Sequence, residues 1–215
     1  ELKLYASARS AGKPMATPFG SINIEEFSLE SARTMDVVFL AVSGDFALEW
    51  ANKICENDGP LVIDNSSAFR YDDDVALVVP EINADAARKS KKKLVANPNC
   101  TTAIALMALK PLHDLQPIKR VVVSTYQSVS GGGKEAMDEL FNQTRGIYAN
   151  EPFHKYQSKF PKQIAFNVIP HIDVFMEDGS TKEEIEQLAG ALAKVLMPKP
   201  VHRGDSDDDA EEEDE

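Results

Sequence analysis

Apolar and polar positions alternate along this chain in two styles. In the first hundred residues, Leu2–Ala6 has the character of a short strand running into a polar turn at Ser7–Gly12 (SARSAG). Asp36–Val42 (DVVFLAV) is a continuous apolar run that suits a strand covered on both faces. A turn at Ser43 and Gly44 follows, then helical spacing over Phe46–Cys55, a buried strand at Leu61–Asp64 and a further short strand at Ala76–Val79. Strand and helix in alternation predict an α/β fold with a doubly wound, mostly parallel sheet.

After Cys100 the style changes. Thr101–Leu115 is predicted as a helix, Arg120–Val129 (RVVVSTYQSV) as a long strand rich in β-branched residues, and Lys134–Thr144 as an amphipathic helix opened by glycines. Gly146–Pro161 has the composition of a loop. Ile164–Met176 reads as extended and broken at Pro170, and Ser180–Leu196 as a helix capped by Ser180 or Thr181, with Glu183 and Glu184 in its first turn. From Pro198 proline and acid dominate, which predicts a disordered tail. No internal repeat is present. The expected domains are 1–99 and 100–197, followed by the acidic tail 198–215.

The formal charge of −12 is concentrated: Asp205–Glu215 holds nine acids, which leaves 26 acids against 23 bases in the rest. That nearly neutral body carries neither a nucleic-acid footprint nor a basic membrane patch, and Arg88–Lys93 (RKSKKK) reads as a solvated loop. No apolar run approaches the ~20 residues of a membrane span. The chain opens at Glu1, not at methionine, so an upstream segment is expected. Two cysteines, Cys55 and Cys100, make no disulfide framework and suit a reducing compartment. Cytoplasm is the expected location, with a plastid as the alternative. Cys55, in a helical stretch, reads as a small core residue.

Cys100 carries the candidate chemistry. Pro98 fixes the approach of the chain, Asn99 suits a cap, and Thr101 and Thr102 begin the predicted helix. A thiolate, not a thiol, attacks carbon, and the unpaired N–H groups at a helix start favour negative charge. A buried cysteine at a strand-to-helix junction is the competing reading. Two neighbouring stretches weigh against it. Asn65–Arg70 (NSSAFR) follows a buried strand, so its polar residues should emerge at the carboxyl edge of the sheet, and Ser124–Lys134 (STYQSVSGGGK) ends a strand in a small-residue loop.

The segments VIDNSSAFR, LVVPEIN, ANPNCTT, KRVVVSTYQSVSG and QIAFNVIPHIDVF, in this order and spacing, resemble the aspartate-semialdehyde dehydrogenase family, from about Glu1 to Glu184. The resemblance implies a Rossmann-like nucleotide domain followed by an α+β substrate and dimerisation domain, both incomplete. It implies an NADP-dependent oxidoreductase in the lysine, threonine and methionine branch from aspartate, with inorganic phosphate as co-substrate. A homodimer or homotetramer is expected, without nucleic acid, membrane or metal. In such a reaction a cysteine attacks the aldehyde, hydride leaves for the nicotinamide, and phosphate cleaves the thioester.

By resemblance, Cys100 is the nucleophile and Gln127 the amide that positions substrate. Arg70 binds phosphate or the acyl phosphate, for which a planar fork of donors suits better than a lysine; a surface ion pair with Asp72–Asp74 is its structural alternative. Asn99 contacts phosphate or simply caps the helix, and Glu183 contacts substrate. Ser7, Arg9 and Ser10 match the loop that receives the adenosine 2′-phosphate, Ser43 and Gly44 a turn beside the dinucleotide, and Ser130 and Gly131 the neighbourhood of the nicotinamide. His171 reads as a packing residue.

The family opens with a strand and a GATGAVG-like phosphate loop, and this chain begins after it, so weak dinucleotide binding is expected. Glu186 stands where the family has a substrate-binding lysine. Pro200–Ser206 (PVHRGDS) faintly echoes the family's glycine-histidine pair, with Asp205 in the place of the histidine and His202 as a candidate substitute. The alternatives to a dehydrogenase are a catalytically impaired relative acting as a regulatory or dimer-forming subunit, and a cofactor-independent thiol hydrolase.

Overall fold

The computed structural model describes residues 1–183 and 189–196. Glu1–Pro111, with the described residues after 187, forms one compact unit, and the described residues of Leu112–Glu186 form a second. Glu186, Pro200–Ser206 with His202, the tail 198–215 and residues 184–188 of the helix expected over Ser180–Leu196 lie outside the described residues.

In the first unit β1 (Leu4–Ala6) runs parallel to β3 (Gly20–Glu26), which pairs antiparallel with β2 (Pro14–Thr17). The β2–β3 hairpin was not predicted, because its apolar positions are few and none is fully buried. After α1 (Leu29–Arg33), capped by the Ser28 hydroxyl, comes a four-stranded parallel sheet. Its strands are β4 (Val37–Leu40), β5 (Leu61–Asp64), β6 (Ala76–Leu77) and β7 (Leu94–Ala96), in the spatial order β4-β5-β7-β6. The helices between and after them are α2 (Gly44–Cys55), α3 (Pro80–Lys89) and α4 (Cys100–Leu115). Alternating strands and helices with parallel pairing are what the apolar pattern predicted.

The core lies between this sheet and its helices. Ala47, Ala51 and Ile54 of α2 bury against Val62, Leu94 and Ala96, with Leu106 of α4 and Ala191, Leu192 and Val195 of α6 (Ala191–Leu196) in the same cluster. Phe27 packs edge-on against Phe46 and Trp50 beside it, with centroids 5.0 and 5.2 Å apart. The end of α2 is fastened from outside: the Arg33 guanidinium donates to the carbonyls of Lys53 (2.6 Å) and Glu56 (2.7 Å), which have no partner within the helix. The chain then turns through left-handed Asn57 and Asp58 to Gly59, where a Cβ would sit 2.1 Å from the Ile54 carbonyl oxygen. Only glycine fits there.

In the first unit two expectations need correction. Asp36–Val42 is not covered on both faces: in β4 Val37 and Phe39 are exposed while Leu40 is buried. It is an edge strand with one uncovered face, so a continuous apolar run overstated its burial. Full coverage belongs to β7, in the middle of the sheet, which the sequence reading did not identify. Arg88–Lys93 is only partly loop, since Arg88 and Lys89 close the last turn of α3.

In the second unit α5 (Gly133–Tyr148) runs longer than predicted. Its buried Glu139 carboxylate accepts from the backbone N–H groups of Ser158, Lys159 and Phe160 and from the Ser158 hydroxyl, and Gln143 accepts from the N–H groups of Ile164 and Ala165. Two side chains on one helix thus take five backbone N–H groups of the segment 158–165. The strand predicted at Arg120–Val129 is absent: residues 117–128 take no regular form, and Val122 and Tyr126 are exposed. Ile164–Met176 is likewise not a strand, with one isolated bridge between Phe175 and Thr181. β-branched residues favour extended backbone, but a strand needs a ladder partner, which the described residues do not supply.

Candidate active site

The carboxyl ends of β4, β5 and β7 deliver three loops to one edge of the sheet. Their backbones are tied in register, the Asn65 N–H donating to Leu40 O (3.0 Å) and the Asn97 N–H to Asp64 O (2.8 Å). Asp64, fully buried, shapes the middle loop by accepting from the Ser66 N–H (3.0 Å) and hydroxyl (2.8 Å), and the Ser66 oxygen in turn accepts from the Ala68 N–H (3.1 Å). The Asn97 amide donates to Asn65 Oδ1 at 2.7 Å. Phe39, Leu40, Ala41, Ile63, Asn65 and Asn97 line a concavity of about 350 Å³.

Arg70 lies beneath these loops and is buried. Its Nε donates to the Asn97 carbonyl (2.9 Å) and its Nη2 to the Asn65 carbonyl (3.1 Å), so one guanidinium spans the loops after β5 and β7. Asp72 and Asp74 are engaged by Lys92, at 3.7 and 3.8 Å. Three residues beyond Asn97, Cys100 is the first residue of α4 and is exposed, which removes the buried-filler reading. Asn99 makes the cap: its Oδ1 accepts from the Thr101 N–H (2.9 Å) and hydroxyl (2.7 Å), and the Cys100 Sγ lies 3.5 Å from the same oxygen. The other thiol differs. Cys55 is buried at the end of α2, donates to Asn52 O, and burial pushes it up from its ordinary value.

Arg70, Asn99 and Cys100 are therefore brought together along one sheet edge, with Ser43 and Gly44 at the end of the neighbouring strand. The Ser43 hydroxyl is used as a cap, accepting from the Phe46 N–H. Ser7, Arg9 and Ser10 occupy the turn after β1, in which Ser7 O accepts from the N–H groups of Ser10 and Ala11; Ser7 and Arg9 are exposed. In the second unit Gln127 is exposed, with its amide 3.4 Å from the Thr125 hydroxyl. There Ser130 and Gly131 form a short 3₁₀ turn capped by Ser128, and Glu183 is buried. His171 stacks on Phe175 (4.5 Å) with a ring nitrogen 2.9 Å from Asp173 O, a packing arrangement.

Residues 1–90 match the model of the semialdehyde dehydrogenase NAD binding domain, and residues 109–207 the model of the semialdehyde dehydrogenase dimerisation domain. The chain belongs to the aspartate-semialdehyde dehydrogenase family. It is 49% identical to the aspartate-semialdehyde dehydrogenase of Aquifex aeolicus over 87% of this chain and 55% of that one. With the Shewanella violacea enzyme it shares 45% identity over 85% and 54% of the two chains. Among solved structures, aspartate semialdehyde dehydrogenase II of Vibrio cholerae complexed with ASA superposes with a TM-score of 0.82 at 40% identity, covering 91% of this chain and 57% of that one. The chain thus spans about half the length of the family members it matches.

The polar residues of Asn65–Arg70, Asn65 and Ser66 among them, do emerge at the carboxyl edge of the sheet, as expected. Asp64 and Asn97 escaped the sequence reading, and Asn97 could not be placed because β7 was not.

Proposed function

We propose that this chain supplies the acyl-forming centre of an NADP-dependent aspartate-semialdehyde dehydrogenase, which interconverts L-aspartate 4-semialdehyde and phosphate with L-4-aspartyl phosphate on the route to lysine, threonine and methionine. The observation that carries the reading is an exposed Cys100 at the first turn of α4, beside a buried Arg70 whose plane is set by the carbonyls of Asn65 and Asn97. The Cys100 sulfur forms a bond to the aldehyde carbon and gives a hemithioacetal, whose conversion to a thioester releases a hydride and a proton. When bound, NADP supplies the acceptor for that hydride. A phosphate oxygen then attacks the thioester carbonyl, the acyl phosphate departs and the thiolate is restored. Arg70 neutralises the phosphoryl oxyanions, and its fixed plane lowers the entropic cost of binding them.

For the cofactor, the adenosine end fits the residues present: an exposed guanidinium at Arg9 and the hydroxyl of Ser7 offer donors to a phosphate monoester. Ser43 and Gly44 at the start of α2, with open space where a Gly44 Cβ would lie, leave room for a dinucleotide backbone. In the second unit Ser130 and Gly131 are assigned to the nicotinamide, and Gln127 and Glu183 to the substrate. A homodimer or homotetramer in the cytoplasm completes the reading.

The half-reaction run backwards tests it without cofactor. Incubated with acetyl phosphate, the chain should release phosphate and gain an acetyl group on the Cys100 peptide, labile to hydroxylamine. Cys100→Ser should abolish both signals. Acylation that survives this substitution, or none in the parent chain, sinks the proposal.

A further inference from the structure

The turn that holds Arg70 is itself held by a residue far along the sequence. Phe69–Val75 bends twice, with Asp72 N–H donating to Phe69 O and Val75 N–H to Asp72 O, both at 3.2 Å. The carbonyls of Arg70, Asp72 and Val75 lie outside the sheet ladders, and they converge on one ammonium: Lys194 Nζ donates to them at 3.1, 2.8 and 3.3 Å. Lys194 reaches this position because α6 is anchored on both sides of it, by Ala191, Leu192 and Val195 in the core. Just before the helix, the Tyr71 ring packs so closely on Gly190 that a Cβ there would lie 2.7 Å away.

We propose that Lys194 is a positioning residue for Arg70, setting the plane in which the guanidinium meets the phosphoryl group. This rests on the reading of Arg70 given above. Removing the ammonium would leave partly buried carbonyls short of a donor, and the turn would relax toward water, carrying the Arg70 backbone with it. The Asn65 and Asn97 carbonyls, which take Nη2 and Nε, are held at the ends of β5 and β7 by the backbone bonds to Leu40 O and Asp64 O and would not move. The guanidinium would then be pulled between a shifted backbone and fixed acceptors. Lys92, the ammonium beside the turn, is engaged by the Asp72 and Asp74 carboxylates and does not replace the lost donors.

Lys194→Met in the full chain is the test, with two independent readouts. Amide hydrogen exchange across Tyr71–Val75 should quicken about tenfold while that of Leu94–Ala96 stays unchanged. In the acetyl phosphate half-reaction the half-saturating concentration should rise about tenfold, while alkylation of Cys100 by iodoacetamide keeps its rate. In Lys194→Ala, added methylammonium should restore the half-saturation, which a merely packing role would not allow. Unchanged exchange and half-saturation overturn the proposal. So does a fall in Cys100 alkylation by the same factor, because the effect is then general loosening. If the parent chain is never acylated, the proposed function fails, yet the exchange readout still decides whether Lys194 holds the turn.

Discussion

Leu94–Ala96 and Arg120–Val129 are both written in residues that favour extended backbone, yet they end differently. The first is three residues long, wholly buried, and hydrogen-bonded on both sides by β5 and β6. The second is more than twice as long and takes no regular form before Val129, with Val122 79% and Tyr126 88% exposed. Length and propensity lost to partnership. A strand is a relation between segments, and the short one sits where two neighbours and two covering layers meet.

The largest effect that should separate the two regions is in native-state hydrogen exchange. Amides of Leu94–Ala96 should exchange at least about 10³-fold more slowly than those of Arg120–Val129. Comparable protection would show that the longer segment does find a ladder in solution, and the contrast would vanish. Next in size, Leu94→Ala should cost about 2–5 kcal/mol of unfolding free energy in denaturant titration, whereas Val122→Ala should stay within about 0.5 kcal/mol. Equal costs would mean that Val122 is packed.

The second unit is not without order, and a smaller effect measures it. Glu139→Ala removes the acceptor for the N–H groups of Ser158, Lys159 and Phe160, and should cost about 1–3 kcal/mol in thermal or denaturant unfolding. A neutral result would mean that those donors find water, and that α5 does not fix the loop. The smallest effect is in pH. Burial raises the Cys55 thiol, so the folded chain keeps a proton that the unfolded chain releases. The stabilisation is therefore complete below about pH 9 and declines as pH rises through the folded value. Cys55→Ala should flatten this alkaline decline, and an unchanged slope would remove Cys55 as its source.

Strands β4, β5 and β6 of the parallel sheet and the helices α2 and α4 were legible because apolar runs of strand length, separated by helical spacing, leave few other ways to bury themselves. Asn99 and Cys100 were legible for a local reason: a Pro-Asn-Cys-Thr order builds its own cap, as the Asn99–Thr101 bonds confirm. β7 and the β2–β3 hairpin were not. Leu94–Ala96 is too short for periodicity to register, and the hairpin keeps its few apolar positions near the surface. The strand predicted at Arg120–Val129 failed from the opposite cause, strong local preference with no neighbour to receive it.

Taken alone, the sequence determined β1, β4, β5, β6 and the intervening α2, the helix opened by Cys100 and membership of a dehydrogenase family, because each depends on residues close together in the chain. Tertiary structure decided which strands are covered, that Asn65 and Asn97 face each other, and that Arg70 meets the Asn65 and Asn97 carbonyls through its side chain and Lys194, 124 positions away, through its backbone. Those are meetings between donors and acceptors that no local pattern encodes, since backbone carbonyls carry no residue identity. Their partners are chosen only when the chain closes on itself.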